Sequence, residues 1–556
     1  MKTAPKTTGL RYWMARVLDE CEHVSADFGA DPVHDLRVAL RRCRSMADGM
    51  IAMDPDPGWK AMKKAGRRLF QSLGRLRDVQ VMMEWIEKLE PAHANAVAKR
   101  NVPALAVLSE EEASAPPSIA PATSADPEAN QLLQLLKARE AEQKREARIA
   151  LNDFDRKQWR QWSKTLPLRA ARIRPGHAVF RHLALERWTA ARELHVRALR
   201  NRSQVAFHTL RIGIKRFRYI VENFLPEEHK AWSNDLKHMQ DLLGDVHDLD
   251  VLWATALSSH VFLDEASRQN WHARIVEQRT RRIEEYRRTM SGPDALWNVW
   301  RAGLPHGNKI REFATRRMKL WARVLDPDFV HSERVARLAL ELYDGITGVG
   351  LLRHGPALNG SSHDEGSDAR ASLYVAALLH DTGKAKGVKG HHKESLQLIR
   401  NHGTPLGWKS ENMARAAVVA RFHCGALPTR THKALRDLLP DEQKLTIQLA
   451  AILRLANALD ATHDGQVRRV KIENAAAQSA ARRQRTNGFL RKPAKLAANE
   501  ALIVGAEGFL PNSSTAQAVA AGRYLLETVL RRPVVIRAVK SPALQMRKVR
   551  SSKTAS

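Results

Sequence analysis

Residues 33–44 read VHDLRVALRRCR, and residues 207–218 read FHTLRIGIKRFR. In the first stretch His34, Arg37, Arg41 and Arg44 follow one another at steps of three, four and three residues. On a helix that spacing confines the four side chains to a stripe about 80° wide. In the second stretch His208, Arg211, Lys215 and Arg218 repeat the same steps. Each copy carries one further cation beside the stripe, Arg42 and Arg216. A single basic stripe is usually a solvated helix face. A stripe that occurs twice, with histidine leading both copies, points to an anion site built by two halves.

The repetition extends downstream. LGRLRDVQV (73–81) is matched by LLGDVHDLDV (242–251), so that Gly74, Arg77 and Asp78 correspond to Gly244, His247 and Asp248. Arg67 and Lys237 each stand seven residues before their glycine, and Lys64 adds a cation on the same stretch. The basic helices are offset by 174 residues and the glycine motifs by 170, as in diverged copies. Apolar periodicity predicts helix over most of 10–108, with one helix across Lys60–Leu89. Further helices are expected at Gln131–Trp162 and Ala178–Leu199. Residues 109–130, SEEEASAPPSIAPATSADPEAN, are acidic and then rich in Pro, Ala and Ser, and predict a disordered insertion.

The chain has 556 residues and a net charge of +31. So large a basic excess favours a polyanionic partner: nucleic acid, an anionic membrane surface or a phosphate polymer. The stripes carry few aromatics, Phe217 and Tyr219 in the second copy, whereas single-strand nucleic-acid readers usually offer stacking surfaces. Cys21, Cys43 and Cys424 lack metal-site spacing and are too few for a disulfide framework, which fits a reducing compartment. No apolar run is long enough for a membrane span or a signal peptide, so a cytoplasmic protein is expected.

The two halves resemble a CHAD domain, a helical duplication named for its histidines. The pattern His-x-x-Arg-x-x-x-Arg/Lys-x-x-Arg followed by Leu-Gly-x-x-x-Asp occurs twice. The resemblance implies two four-helix bundles around a basic channel that binds inorganic polyphosphate, with an association with polyphosphate granules. The implied binding residues are His34, Arg37, Arg41, Arg42, Arg44, Lys64, Arg67, Arg77, His208, Arg211, Lys215, Arg216, Arg218, Lys237 and His247. Guanidinium forks suit phosphate oxygens and stay charged.

Beyond a Trp-rich connector (291–325), FVHSERVARLALELYDGI (329–346) opens a second helical region. Residues 355–370 read as a loop. LLHDTGK (378–384) places His380 beside Asp381, followed by Gly383 and Lys384. Imidazole nitrogen next to carboxylate oxygen suits a divalent metal that activates water on phosphate esters. With His331 upstream and His391, His392 and His423 downstream, the region resembles an HD-type phosphohydrolase. The match is nearer to the HD-like C-terminal region of exopolyphosphatase and guanosine pentaphosphate phosphohydrolase. That resemblance implies a metal held by His331, His380, Asp381 and a late Asp, with Lys384 in the catalytic set. The ion is manganese, magnesium or iron without distinction, and a phosphorylated nucleotide is a further substrate class.

Two departures stand out. The late Asp is replaced by Asn457, which removes a negative charge from the site. The ATPase-type domain that carries catalysis in exopolyphosphatases has no counterpart. His391, His392 and His423 are expected beside the ligands or against phosphate, and Cys424 as a small buried residue. VRRVKIEN, EALIVGAEG and RPVVIRAV predict three strands, with a helix at Thr515–Leu530 before the last.

The expected fold is therefore mainly α. A pseudo-symmetric pair of helical bundles with a basic channel occupies 1–290. An HD-like all-α domain follows (326–475), then a basic linker (476–498), a small α+β subdomain (499–540) and a disordered basic tail (541–556). The expected function is polyphosphate binding, with a metal-dependent phosphohydrolase or a phosphate-ligand sensor in the second domain. Two alternatives stay open: a non-enzymatic scaffold on polyphosphate granules, and a nucleic-acid-binding protein.

Overall fold

The computed structural model describes residues 9–89, 126–352, 362–473 and 501–539. The expected helical stretch 90–108, most of the insertion, the first part of the 355–370 loop, the basic linker and the tail lie outside them. The chain divides into two compact units, 1–307 and 308–556.

The first unit begins with α1 (Leu10–Ala26), α2 (Ala30–Ile51), α3 (Pro57–Ala65), α4 (Arg67–Leu89), α5 (Pro127–Asn152) and α6 (Arg156–Ala170). It continues with α7 (Ala178–Asn201), α8 (Gln204–Phe224), α9 (Pro226–Ser258), α10 (Glu265–Met290) and α11 (Leu296–Ala302). The basic helices are α2 and α8, and the duplication reaches their cores. Val33, Leu36, Leu40, Cys43, Ala47 and Met50 are buried on α2. Phe207, Leu210, Ile214, Phe217, Val221 and Phe224 are buried at the matching positions of α8. Burial over 61–70 repeats over 231–240, position for position. α1 packs on α2 as α7 packs on α8; α4 pairs with α5 as α9 pairs with α10; and α2 meets α8 while α4 meets α9. Two four-helix layers thus meet along their basic helices.

Two single helices of the sequence reading are broken. Gly66 separates α3 from α4, where Leu40 and Trp159 close around it. Residues 153–155 separate α5 from α6, because Asp155 turns its carboxylate onto the Gln158 amide at 2.8 Å and caps a new helix. Phe217 lies in the core rather than on the stripe.

The second unit contains α12 (Asn308–Leu325), α13 (Phe329–Gly348), α14 (Ser362–Leu379), a 3₁₀ turn (Thr382–Lys386), α15 (His391–His402), α16 (Ser410–Arg421), α17 (Lys433–Arg436) and α18 (Pro440–Leu459). The part of the 355–370 loop from Ser362 onward is thus helical. β1 (Arg469–Glu473) pairs antiparallel with β2 (Leu502–Glu507), which pairs in parallel with β3 (Val534–Val539). Between β2 and β3 the expected single helix is two, α19 (Ser514–Gly522) and α20 (Tyr524–Leu530). One continuous core joins α13, α14, α16 and α18 to the sheet. No helix among the described residues is long and apolar enough to cross a membrane.

Candidate polyanion channel and candidate metal centre

In the first unit α2, α4, α8 and α9 line a half-open cavity of about 470 Å³. His34, Arg37, Arg41, Arg44, Arg77, Arg211, Lys215 and Arg216 line it; Asp48, Asp78 and Asp248 are the acids. Seven cations against three carboxylates leave a surplus of positive charge in a confined space, where electrostatic attraction is strengthened. The Nε–H groups of Arg37, Arg41 and Arg211 are buried without a hydrogen-bond partner. Buried donors are normally paired, so three orphans around one cavity mark positions for an acceptor. Aromatic faces hold the guanidinium groups: Phe70 lies under Arg37 and Arg44, at 5.8 and 5.2 Å, and Tyr219 under Arg41, at 5.8 Å. Burial, then Arg211 and Arg41, lower the Lys215 ammonium to about 7. Burial raises Asp248 to about 6, with Asp78 adding to the rise and Arg211 opposing it.

The other expected binding residues stand elsewhere. Arg42 and Arg218 both face the buried carboxylate of Glu222, and Arg42 also lies over Trp13 at 5.2 Å. The ring nitrogens of His208 and His247 approach to 3.2 Å, and burial lowers both imidazoles. Lys64, Arg67 and Lys237 are exposed and do not line the cavity, though Arg67 lies within electrostatic reach of Arg44. Asp48, Asp78, Asp248, Phe70 and Tyr219 are among the cavity residues outside the expected binding set. The motif alignment had singled out Asp78 and Asp248, but as markers of the repeat.

In the second unit the candidate ligands sit at helix ends that converge. His331 lies in the first turn of α13, whose N-cap Asp328 accepts from the His331 amide at 3.3 Å. His380 and Asp381 follow α14, His391 opens α15, His423 and Cys424 follow α16, and Asn457 lies in the last turn of α18. Gly383 fixes the HDTGK turn. A Cβ there would stand 2.0 Å from the His391 carbonyl oxygen. The Gly383 amide donates to Ser395 Oγ at 2.9 Å, and that hydroxyl donates to the His380 carbonyl at 2.6 Å.

Asp381 is the centre. Its Oδ2 lies 3.4 Å from His380 Nε2 and 4.0 Å from His331 Nε2, and accepts from Lys384 Nζ at 2.5 Å. Its Oδ1 lies 3.2 Å from His391 Nε2 and 3.6 Å from His423 Nε2. Nδ1 of His380, His391 and His423 each donates to a backbone carbonyl, of Ala377, Val388 and Ala420, at 2.7–2.8 Å. Those bonds fix the tautomer and turn the Nε2 lone pairs toward a carboxylate. Lone pairs facing an anion call for a cation between them, a proton or a metal. Burial would raise Asp381, but His380, His391, His423 and Lys384 hold it well below the usual carboxylate range. The bond to Asp381 raises His391 to about 10. Fully buried His380 keeps an unpaired Nε2 aimed into this cluster. The donor set therefore fits a transition-metal dication, and its imidazole content suits manganese, iron or zinc better than magnesium.

Asn457 Oδ1 stands 2.9 Å from His331 Nε2, on the nitrogen that would face the ion. Asp460 lies on the other side of the ring and accepts from His331 Nδ1 at 2.8 Å. It orients His331 rather than replacing the missing late carboxylate. His391 and His423 lie in the cluster itself, closer to Asp381 than His331 does. Cys424 is half-buried among histidines rather than packed in a core.

Residues 10–257 match the model of the CHAD domain, and residues 310–503 match that of Ppx/GppA phosphatase, domain III. The chain joins a CHAD domain to a Ppx/GppA domain III. That pairing fits a polyphosphate-related role. The CHAD match spans the basic helices and both glycine motifs; the domain III match spans the whole Asp381 cluster. No curated protein matches the chain.

Proposed function

We propose that this protein binds inorganic polyphosphate in the channel of its first unit and hydrolyses a phosphate-rich substrate at the Asp381 centre of its second. The observation that carries the first half is the set of three buried, unpaired arginine Nε–H groups around a cavity with seven cations. A linear chain of tetrahedral anions supplies acceptors at short, regular spacing, which is what such a cavity lacks. The cavity's aromatics lie under guanidinium groups, so they offer little stacking surface to bases.

At the second centre His331, His380 and Asp381 would hold a divalent cation. When bound, the cation supplies a Lewis acid for phosphate oxygen and lowers the pKa of water. The remaining residues prepare the site. Asp460 orients His331, the Ala377 carbonyl orients His380, and Lys384 holds Asp381 while leaving N–H groups for a phosphate oxygen. A granule scaffold is the second reading, and Asn457 favours it, because its amide takes up the His331 nitrogen that a ligand needs free.

The test uses the full-length protein. Polyphosphate should displace bound RNA at far lower concentration than RNA displaces polyphosphate, and the manganese-loaded protein should release phosphate from polyphosphate or nucleotides. Preferential RNA binding would overturn the channel reading. Metal-loaded protein inert toward every phosphate ester leaves the scaffold.

A further inference from the structure

The two halves of the channel end differently. At the offset of 174 residues, Arg44 corresponds to Arg218, Arg42 to Arg216 and Asp48 to Glu222. In the first half Asp48 pairs with Lys63 of α3, and Arg44 stays on the cavity wall. At the offset of 170 found for the glycine motifs, the counterpart of Lys63 is Ser233, which has no charge to offer. Glu222 is held by arginine instead. It pairs with Arg42 of the first half and lies 3.9 Å from Arg218 of its own, and neither arginine lines the cavity. The Glu222 side chain is 8% exposed, against 54% for Asp48. One half thus gives its acid to solvent, and the other buries it between two basic helices.

We propose that Glu222 is an internal stop on the polyphosphate track: its carboxylate takes the place of a phosphoryl group and fixes where the gripped length of chain ends. The inference rests on the channel reading and adds to it a residue that sets how much of the polymer is held.

Three observations support the assignment. The position adjoins the cavity, because Arg42 lies within electrostatic reach of the wall residue Arg41, and Asn223 donates to Ser45 Oγ, also on the wall, at 2.9 Å. The position also has donor capacity to spare. Arg42 holds Glu222 through Nη2, yet its Nε–H is buried without an acceptor, like those of Arg37, Arg41 and Arg211 around the cavity. A tetrahedral phosphoryl group offers oxygens in directions that a planar carboxylate lacks, and guanidinium forks bind either anion. Finally, the Arg42 guanidinium is already placed, since it lies 5.2 Å over the Trp13 ring. Exchange of carboxylate for phosphate needs no new cation.

The test is calorimetric titration of the full-length protein with long-chain polyphosphate and with tripolyphosphate, at several salt concentrations. E222Q removes the charge of the stop and keeps its shape. Long-chain affinity should rise about tenfold at low salt, and the slope of log affinity against log salt should steepen by roughly 1.5, as two further arginines meet phosphates. Tripolyphosphate has three phosphoryl groups, which the seven cations of the wall already satisfy, so its affinity should stay at the wild-type value. S233K serves where E222Q does not fold. It gives the second half the lysine that holds Asp48 in the first, leaves no buried charge unpaired, and should reproduce the long-chain gain. Unchanged long-chain affinity and slope in folded E222Q, or in S233K where E222Q does not fold, would overturn the proposal. So would an equal gain for tripolyphosphate, which marks a general effect of added charge. Wild-type protein that prefers RNA sinks the channel reading itself; wild-type polyphosphate binding with no gain in the variant sinks the stop alone.

Discussion

Lys215 gives the channel a pH dependence whose size can be worked out. It lines the cavity and titrates near 7, because burial and the charges of Arg211 and Arg41 disfavour its ammonium. A bound polyanion reverses that balance and keeps Lys215 charged. Binding then takes up a proton whenever free Lys215 is neutral, so affinity follows the charged fraction of the free protein. For a group titrating at about 7, that fraction falls about 25-fold between pH 6.5 and pH 8.5, equivalent to about 1.9 kcal/mol. Asp248, at about 6, acts in the same direction on the acid side, since the polymer favours its protonated form. His34, His208 and His247 are all lowered by burial and neighbouring cations and add only at acid pH.

Calorimetric titration with long-chain polyphosphate, where terminal phosphates are few, reads the slope. K215R keeps a permanent charge and should flatten it above pH 7, binding more tightly than wild type at pH 8.5. The free protein supplies an internal check of opposite sign. Folded Lys215 titrates below its unfolded value, so between about 7 and 10.5 the unfolded chain holds more protons and stability contributed by this residue rises with pH. A wild-type affinity that changes less than about threefold over the range, or a K215R slope as steep as wild type, would refute the reasoning.

Four further outcomes are expected. R41A should weaken polyphosphate binding about tenfold without lowering the unfolding temperature, and affinity should fall linearly with salt on logarithmic axes, both read by titration at several salt concentrations. R42A should instead cost about 2–3 kcal/mol of stability in denaturant unfolding and leave the folded protein's affinity unchanged, because it leaves the buried carboxylate of Glu222 with Arg218 alone, at 3.9 Å. G383A should cost about 1–3 kcal/mol or more, since its methyl group would meet the His391 carbonyl; an unchanged unfolding temperature in calorimetry counts against the tight turn. N457D should tighten manganese binding and H380A should abolish it at the Asp381 centre, both measured by calorimetry.

The duplication was legible because helix periodicity is local. His34, Arg37, Arg41 and Arg44 share a face whatever the rest of the chain does, and the buried residues between them repeat at the matching positions of α8. What periodicity cannot report is what a cation meets across the bundle. Arg42 looks like its neighbours in sequence, yet Glu222 of α8 claims it, and no spacing rule places that glutamate opposite α2; the Arg218–Glu222 contact, four residues apart on one helix, is the part that spacing reports. The helix breaks at Gly66 and Asp155 follow the same logic in reverse: a glycine and a capping carboxylate were visible, but breaking and continuing differ by about 1 kcal/mol at such positions, and tertiary packing decides.

The metal centre was half legible for a different reason. His380–Asp381 is contiguous, so the sequence offers it directly. His391, His423 and Cys424 come together only because α15 begins and α16 ends beside the HDTGK turn, an arrangement set by Gly383 and Ser395 rather than by ligand spacing. Asn457 shows why identity alone misleads. By composition it is a weakened ligand. In space the two residues bracket one imidazole, Asp460 on Nδ1 and Asn457 on Nε2. An ion at His331 must therefore displace the Asn457 amide or share its oxygen, and the lost carboxylate charge falls on that side of the ring alone. The Oδ1 side of Asp381, facing His391 and His423, is untouched by the substitution.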